Sequence, residues 1–354
     1  MSSSPIIPHN SVHVDSKHIE SVIDTVSSGY WAGGDRLLSL EQSLSHYFSV
    51  SCCVGVKSGY SAIKLSLIAL GAGPGSLVLL PAYSCVALVN AILAINAVPI
   101  PIDCSLHDWN IDPYSIPSEL HHKNHFLIAV NTFGYPSNVD CLVKLGFRVI
   151  EDITHGFSFT YNRKLKHYSP CLKGHICITS FYPTKLISSA DGGAIFTNDS
   201  AVKSKILELR NYTDLMPSKY NSNEVLNNLS AALACVSLDR LDRDLRLRNH
   251  LSQQYLYSLK ANPQINHYPP SDIPRVWYRF VLQLVHFDVD DIINRLQEYG
   301  VLAARPVENW IDDVEYKYPN AHKLLQSSIS LPLYCGLTIP QIQRVCTSLI
   351  SSLK

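Results

Sequence analysis

Between residues 53 and 198 the chain repeats one theme: a short apolar or β-branched run, a turn carrying Gly, Pro, Asp or Asn, then a longer stretch that suits a helix. Seven runs read as strands, at 53–56, 77–80, 98–102, 126–131, 148–151, 176–181 and 193–197. Several are apolar throughout instead of alternating. A strand that is apolar on both sides has to be covered on both sides, so the pattern predicts an α/β layer domain, a mostly parallel seven-stranded sheet flanked by helices. Between two of the strands, residues 61–72 set Ile63, Leu67 and Leu70 on one helical face, and Gly71 with Gly73-Pro74-Gly75 ends that helix. This glycine cluster follows a helix and precedes a strand, the reverse of the order a dinucleotide fingerprint requires.

After Asn198 the pattern turns helical, at 201–210 and from Val225 past Arg248, where the alternating charges of LDRLDRDLRLR read as a solvated face. WYRFVLQLV at 277–285, the amphipathic 290–299 and a closing helix from Ile339 then outline a small α+β unit. The 354 residues suffice for both, and the expected division is a large domain over 1–240 and a small C-terminal domain over 241–354. Lys+Arg and Asp+Glu balance at 29 each, which leaves no long-range field to gather nucleic acid or an anionic membrane. The ten cysteines are scattered, with neither a disulfide framework nor a zinc spacing, so no metal is expected and a reducing cytoplasm is the simplest home. The opening MSSSPIIPHNSVHVDS lacks a basic segment followed by an apolar one, and no apolar run is long enough for a bilayer; the expectation is a soluble, unsecreted protein.

Three places carry chemistry. In VIEDITHG (149–156) an apolar strand delivers Glu151 and Asp152 to its C-terminal end, the edge where open α/β sheets bind ligands; capping the next helix would suit Asp152 equally. In residues 178–199 a β-rich run ends in Lys185, and an ammonium group near the end of a buried strand has to be paired, neutralised or used covalently, unless it snorkels to the surface. Thirdly, Ser58-Gly59-Tyr60-Ser61 leads directly into the Ile63 helix, where free N–H groups and the helix dipole would hold a phosphate, although Ser at an N-cap is expected with no ligand at all. Each signal is modest by itself. Together, on one sheet, they match the needs of pyridoxal phosphate: an amine for its aldehyde, a carboxylate for its ring nitrogen and a cradle for its phosphate.

At this point the chain resembles the DegT/DnrJ/EryC1/StrS family of sugar aminotransferases, of fold type I among the enzymes that use this cofactor. The resemblance rests on SGYWAGG (28–34), SGYSAIKLSLIALGAGPGSLVLLPAYS (58–84), HDWNIDP (107–113), TFGYP (132–136), VIEDITHG (149–156), SFYPTK (180–185), DGGAIFTND (191–199), LRNY (209–212) and ISLPLYCGLT (329–338), and extends over nearly the whole length. It implies pyridoxal 5′-phosphate carried by Lys185, with Asp152 as partner of the ring nitrogen, so that these two are the expected catalytic residues. It further implies Ser180, Ser61 and the backbone of Gly59 and Tyr60 at the phosphate, and His155 beside the ring. Asn223 corresponds to an asparagine that reaches the phosphate of a neighbouring subunit, which makes a homodimer with shared active sites the expected assembly. The implied partners are an amino-acid donor, glutamate first, and a small keto acceptor, a sugar carried on a nucleotide.

The chain departs from the family pattern at several places. Cys85 stands where an aromatic ring often covers the cofactor, Tyr60 where Thr is usual, Val225 where many members have an arginine, and Arg305-Pro306 where some have a His-rich substrate segment. Related dehydratases carry His at the position of Lys185, so the lysine argues for transamination. A cofactor-binding regulatory or scaffold protein that has lost turnover is the alternative. A nucleophilic role for Cys85 has no assignable base, and the thiol reads as lining of the cofactor site.

Overall fold

The computed structural model describes residues 5–162, 167–211, 222–266 and 275–354; Tyr212, the last residue of the LRNY motif, lies outside them. Two helices open the chain, α1 (Ser16–Ser28) and α2 (Asp35–Phe48). The alternation of strands and helices follows: β1 (Cys52–Val56), α3 (Gly59–Ala69), β2 (Leu77–Pro81), α4 (Val86–Leu93), β3 (Val98–Ile102), β4 (Phe126–Val130), α5 (Val139–Lys144) and β5 (Arg148–Asp152). The hairpin β6 (Ser158–Asn162) and β7 (His167–Cys171) interrupts it before β8 (Ile176–Ser180), β9 (Gly193–Thr197), α6 (Ser200–Asn211) and the long α7 (Asn228–Leu259). The chain closes with β10 (Ile265–Asn266), β11 (Phe280–Leu284), α8 (Val289–Glu298), α9 (Val314–Lys317), α10 (Pro319–Ser327), β12 (Ser328–Leu331) and α11 (Ile339–Ser352).

All seven expected strands join one sheet, in the order β1-β9-β8-β5-β4-β2-β3. Only β9 runs against its neighbours. Their uninterrupted apolar character has the predicted cause, since successive residues feed different cores. Val54, Ile128, Ile150 and Ile195 pack under α3, α4 and α6. On the opposite face Cys53, Cys177 and Phe196 meet α2 and α7, while Leu127, Ala129 and Val149 meet α5. Each such side chain contributes about 1.5–3 kcal/mol by leaving water. The helix α2 offers Leu37, Leu40, Leu44 and Phe48 at helical spacing for this purpose.

The three-stranded antiparallel sheet β10-β11-β12 lies against α8 and α11 around a separate core, which also takes Ile7 from the N-terminal segment. The expected division at 240/241 falls inside α7, whose first half packs on the large sheet through Ala231 and Leu238 and whose second half reaches the small core through Leu251, Tyr255 and Leu259. The charged run of α7 is solvated only in part. Asp239, Asp242, Arg243 and Arg246 are exposed, but Arg240 pairs with Asp15 and Asp244. Arg248 is buried, and its Nη1 donates to the carbonyls of Tyr278 (3.0 Å) and Leu333 (3.1 Å), which flank the small sheet. The periodicity cannot distinguish such a clamp from a surface arginine.

A second tie holds Tyr278 in place. The Val276 N–H donates to the Gly134 carbonyl over 3.1 Å, and Gly134 takes φ +94° in the turn after β4. An added Cβ at Gly134 would fall inside the Val276 carbonyl. Gly134→Ala is therefore expected to destabilise the fold by roughly 3 kcal/mol or more, from positive-φ strain plus the clash, read as a lower urea midpoint in chemical denaturation.

Candidate active site

The sheet strands end together at one edge. At that edge, β2 turns outward to β3 while β4 returns toward β5, the reversal of strand order at which open sheets form a ligand crevice. The crevice here is a cavity of about 740 Å³. Its walls come from the β1–α3 turn, residues 83–88 after β2, the ends of β4, β5 and β8, the Lys185 loop, and residues 305–310 of the C-terminal part.

Strand alternation sorts the two acids of β5. Glu151 points away from the cavity and is satisfied there by the Asn131 side-chain amide (3.1 Å) and the Lys173 N–H (2.8 Å). Asp152 points into the cavity, buried, with Oδ1 accepting the Thr154 N–H over 2.9 Å. The local turn and the site address thus coexist in one carboxylate. Burial pushes the Asp152 carboxyl above the usual range, against the opposing pull of the Thr154 bond and the Lys185 charge.

Lys185 is half-buried on the same cavity. Its Nζ lies 3.3 Å from His155 Nε2 and 3.3 Å from the Tyr278 hydroxyl. Burial, then the charges of Lys185 and Arg279, hold His155 well below the ordinary imidazole range, so the ring is neutral and Nε2 accepts from the ammonium. His155 Nδ1 is buried without a hydrogen-bond partner. The imidazole is stacked between Tyr278 (centroids 4.2 Å, planes 10° apart) and Phe133 (5.8 Å, 10°). Phe133 reaches it from a strained backbone at φ +48°, inside the TFGYP motif. Burial alone would raise the Tyr278 phenol, but Lys185 and Arg279 outweigh it and bring the group down to about 8.

The remaining expected residues divide between the cavity and its surroundings. Gly59, Tyr60, Cys85 and Ser180 line the cavity. Gly59 begins α3 behind the N-cap Ser58, and a Cβ there would meet the Ser180 Cβ at 2.8 Å, so only glycine lets the positive end of the helix close on the end of β8. Cys85 stands exposed at the N-cap of α4. Ser61 is turned away: its hydroxyl donates to Glu224 Oε2 (2.5 Å) and lies 2.9 Å from Ser58 Oγ. Glu224 also takes Lys64 at 2.5 Å, and although burial opposes it, these donors hold its carboxyl below the usual range. Asn223 is exposed beside Glu224 and outside the cavity lining.

Tyr278, Phe133, Arg279 and Trp310 belong to the site without having been singled out by the sequence. No spacing marks them. Tyr278 and Arg279 read as the start of an apolar strand, and Trp310 is recruited from far along the chain by donating its indole N–H to the Ser84 carbonyl over 2.9 Å. Arg305 does line the cavity, but its guanidinium is engaged by Asp290 (2.7 Å) and the Leu325 carbonyl (2.6 Å).

The comparison with known proteins follows the same lines. The dTDP-3-amino-3,4,6-trideoxy-alpha-D-glucose transaminase of Streptomyces venezuelae is 27% identical over 344 residues, covering 92% of this chain and 89% of the relative. The UDP-2-acetamido-2-deoxy-3-oxo-D-glucuronate aminotransferase of Pseudomonas aeruginosa is 25% identical over 338 residues, covering 91% and 92%. In fold, the crystal structure of S. venezuelae DesV in complex with a ketimine intermediate superposes with a TM-score of 0.87 at 24% identity over 98% of both chains. The profile of the DegT/DnrJ/EryC1/StrS aminotransferase family matches residues 12–350, a span that contains the whole sheet, the cavity and its lysine, and the chain belongs to that aminotransferase family.

Proposed function

We propose that this chain is a pyridoxal 5′-phosphate-dependent aminotransferase that moves an amino group from an amino-acid donor, glutamate first, to a keto-sugar carried on a nucleotide. The observation that carries the reading is the convergence of Lys185, from the loop after β8, and Asp152, from the end of β5, on one cavity at the sheet edge. The relatives named above act, by their names, on dTDP- and UDP-linked sugars. The residues fit the cofactor on structural grounds: an amine with no carboxylate bonded to it among the described residues, a buried acid, an orphaned His155 Nδ1, and a glycine-started helix pressed onto Ser180.

When bound, the cofactor supplies an aldehyde that condenses with amines and a protonated heterocycle that withdraws electrons. Lys185 is the amine that holds it and, once released, the base at Nζ that takes a proton from the donor's α-carbon. Tyr278 and the neutral His155 fix Nζ at its working position, and the acidified phenol offers that proton a short path. Asp152 accepts the ring N–H, which gives the costly buried carboxylate a cation to face. Gly59, Tyr60 and Ser180 take the phosphate, with Ser61 supporting the helix start through Ser58. Cys85 borders the ring, and the exposed Asn223 completes the cradle of a second subunit in a homodimer with shared sites.

Two outcomes are expected. Lys185→Ala should abolish both the visible absorption of the purified protein and its exchange of amino groups with glutamate, and transamination surviving in that variant would end the proposal. Asp152→Asn should separate stability from function. Because the folded carboxyl titrates above its unfolded range near 3.9, its contribution favours folding fully at acid pH and is lost as pH rises through the raised value. The Asn variant, freed of the cofactor, should therefore melt higher than wild type at pH 7, by on the order of 1 kcal/mol, with the difference vanishing below about pH 4. The cofactor-loaded variant should turn over at least about 100-fold more slowly.

A further inference from the structure

Among the described residues three cations line the cavity: Lys185, Arg305, which Asp290 engages, and Arg279. Arg279 immediately precedes β11, and its Cζ lies 5.3 Å from the centroid of the Tyr278 ring, the same ring that Lys185 Nζ approaches to 5.1 Å. Its one hydrogen bond among the described residues is Nη1 to the Pro306 carbonyl, 3.1 Å. Among those residues no carboxylate pairs with it, whereas Arg305 in the same wall is occupied by Asp290. The acids of the cavity are engaged elsewhere: Asp152 with Thr154, Asp191 with the Gly192 N–H (2.7 Å), and Glu308 beside Arg305. A half-buried guanidinium with no carboxylate partner among the described residues has lost hydration, and Lys185 on the same cavity adds a second positive charge, so the arrangement is stabilised when an anion enters. The bond to Pro306 and the Tyr278 ring hold the side chain in place, and the rest of its planar fork, which has no hydrogen-bond partner among the described residues, suits the two oxygens of a carboxylate.

We propose that Arg279 is the carboxylate anchor of this site, the residue that selects substrates carrying an acid group. The inference rests on the reading of the chain as an aminotransferase and deepens it. The carboxylate has two sources, the amino-acid donor or an acidic sugar acceptor, and both would reach the same guanidinium at different stages.

The test uses the cofactor-loaded protein and three probes: L-glutamate, followed by the change in visible absorption as the donor reacts, and UDP-glucuronate with its neutral counterpart UDP-glucose, followed as inhibitors of that reaction. Arg279→Leu is expected to weaken a carboxylate probe by roughly 10- to 100-fold, the worth of a charge-assisted hydrogen-bonded pair. Arg279→Lys should recover part of the loss, and UDP-glucose should be unaffected. Weakening of glutamate alone assigns the anchor to the donor, and weakening of UDP-glucuronate alone assigns it to an acidic acceptor; either supports the proposal. If the Leu variant does not fold, Arg279→Gln keeps a donor for Pro306 and reads the same constants. Glutamate and UDP-glucuronate both binding within two-fold of wild type, in a variant of unchanged spectrum, would overturn it. A wild-type protein whose spectrum responds to no amino acid would instead defeat the underlying aminotransferase reading, which keeps the two failures distinct.

Discussion

Burial of both faces of the seven-stranded sheet is the constraint on which everything else in this molecule depends. With helices pressed on each side, the strands are lined mainly by apolar side chains, and Val54, Ile128, Ile150 and Ile195 fill one layer while Cys53, Leu127 and Phe196 fill the other. Polar side chains that belong to strands are left with the ends. Asp152 is the last residue of β5, Ser180 the last of β8, and Gly59 opens the helix after β1. The site is therefore a consequence of the packing: the same covering helices that stabilise the sheet drive its few chemical groups to a single edge.

The small sheet then closes that edge and sets its electrostatics. Arg248 on α7 and the Gly134 carbonyl hold the backbone around Tyr278, and Tyr278 with Phe133 sandwiches His155 beside Lys185. An aromatic and imidazole wall surrounds the amine, where a carboxylate would neutralise it. Burial lowers the imidazole and opposes the phenol, while the charges of Lys185 and Arg279 lower both. A cavity so lined is pre-arranged for anionic and electron-withdrawing groups, and Asp152 is the buried acid in it that a cation would favour.

Several of these features were legible in the chain itself. The strands were visible because a fully covered strand has to be apolar at every position, which a half-exposed one need not be. Lys185 and Asp152 stood out because charged residues at the ends of such runs are costly unless they are used. The charged face of α7 misled at Arg248, since a repeat of alternating charges looks alike whether a given arginine meets water or two carbonyls. Ser61 shows a related difficulty: a serine at a helix start has several acceptors in reach, and only the position of Glu224, from a distant segment, determines which it takes.

What the order of residues determined by itself was local and periodic: the strand and helix runs, the glycine that permits the β1–α3 approach, and the two ionisable groups placed where strands end. Tertiary structure alone decided that Tyr278 and Arg279, which in the chain are the start of an ordinary strand, join Lys185 at the cavity, Tyr278 through a hydrogen bond and Arg279 in its lining, and that Trp310 closes on Ser84. The physical reason is that these contacts join segments separated by long stretches of chain. Their geometry is set by how two cores pack along α7, and no pattern within either segment records it.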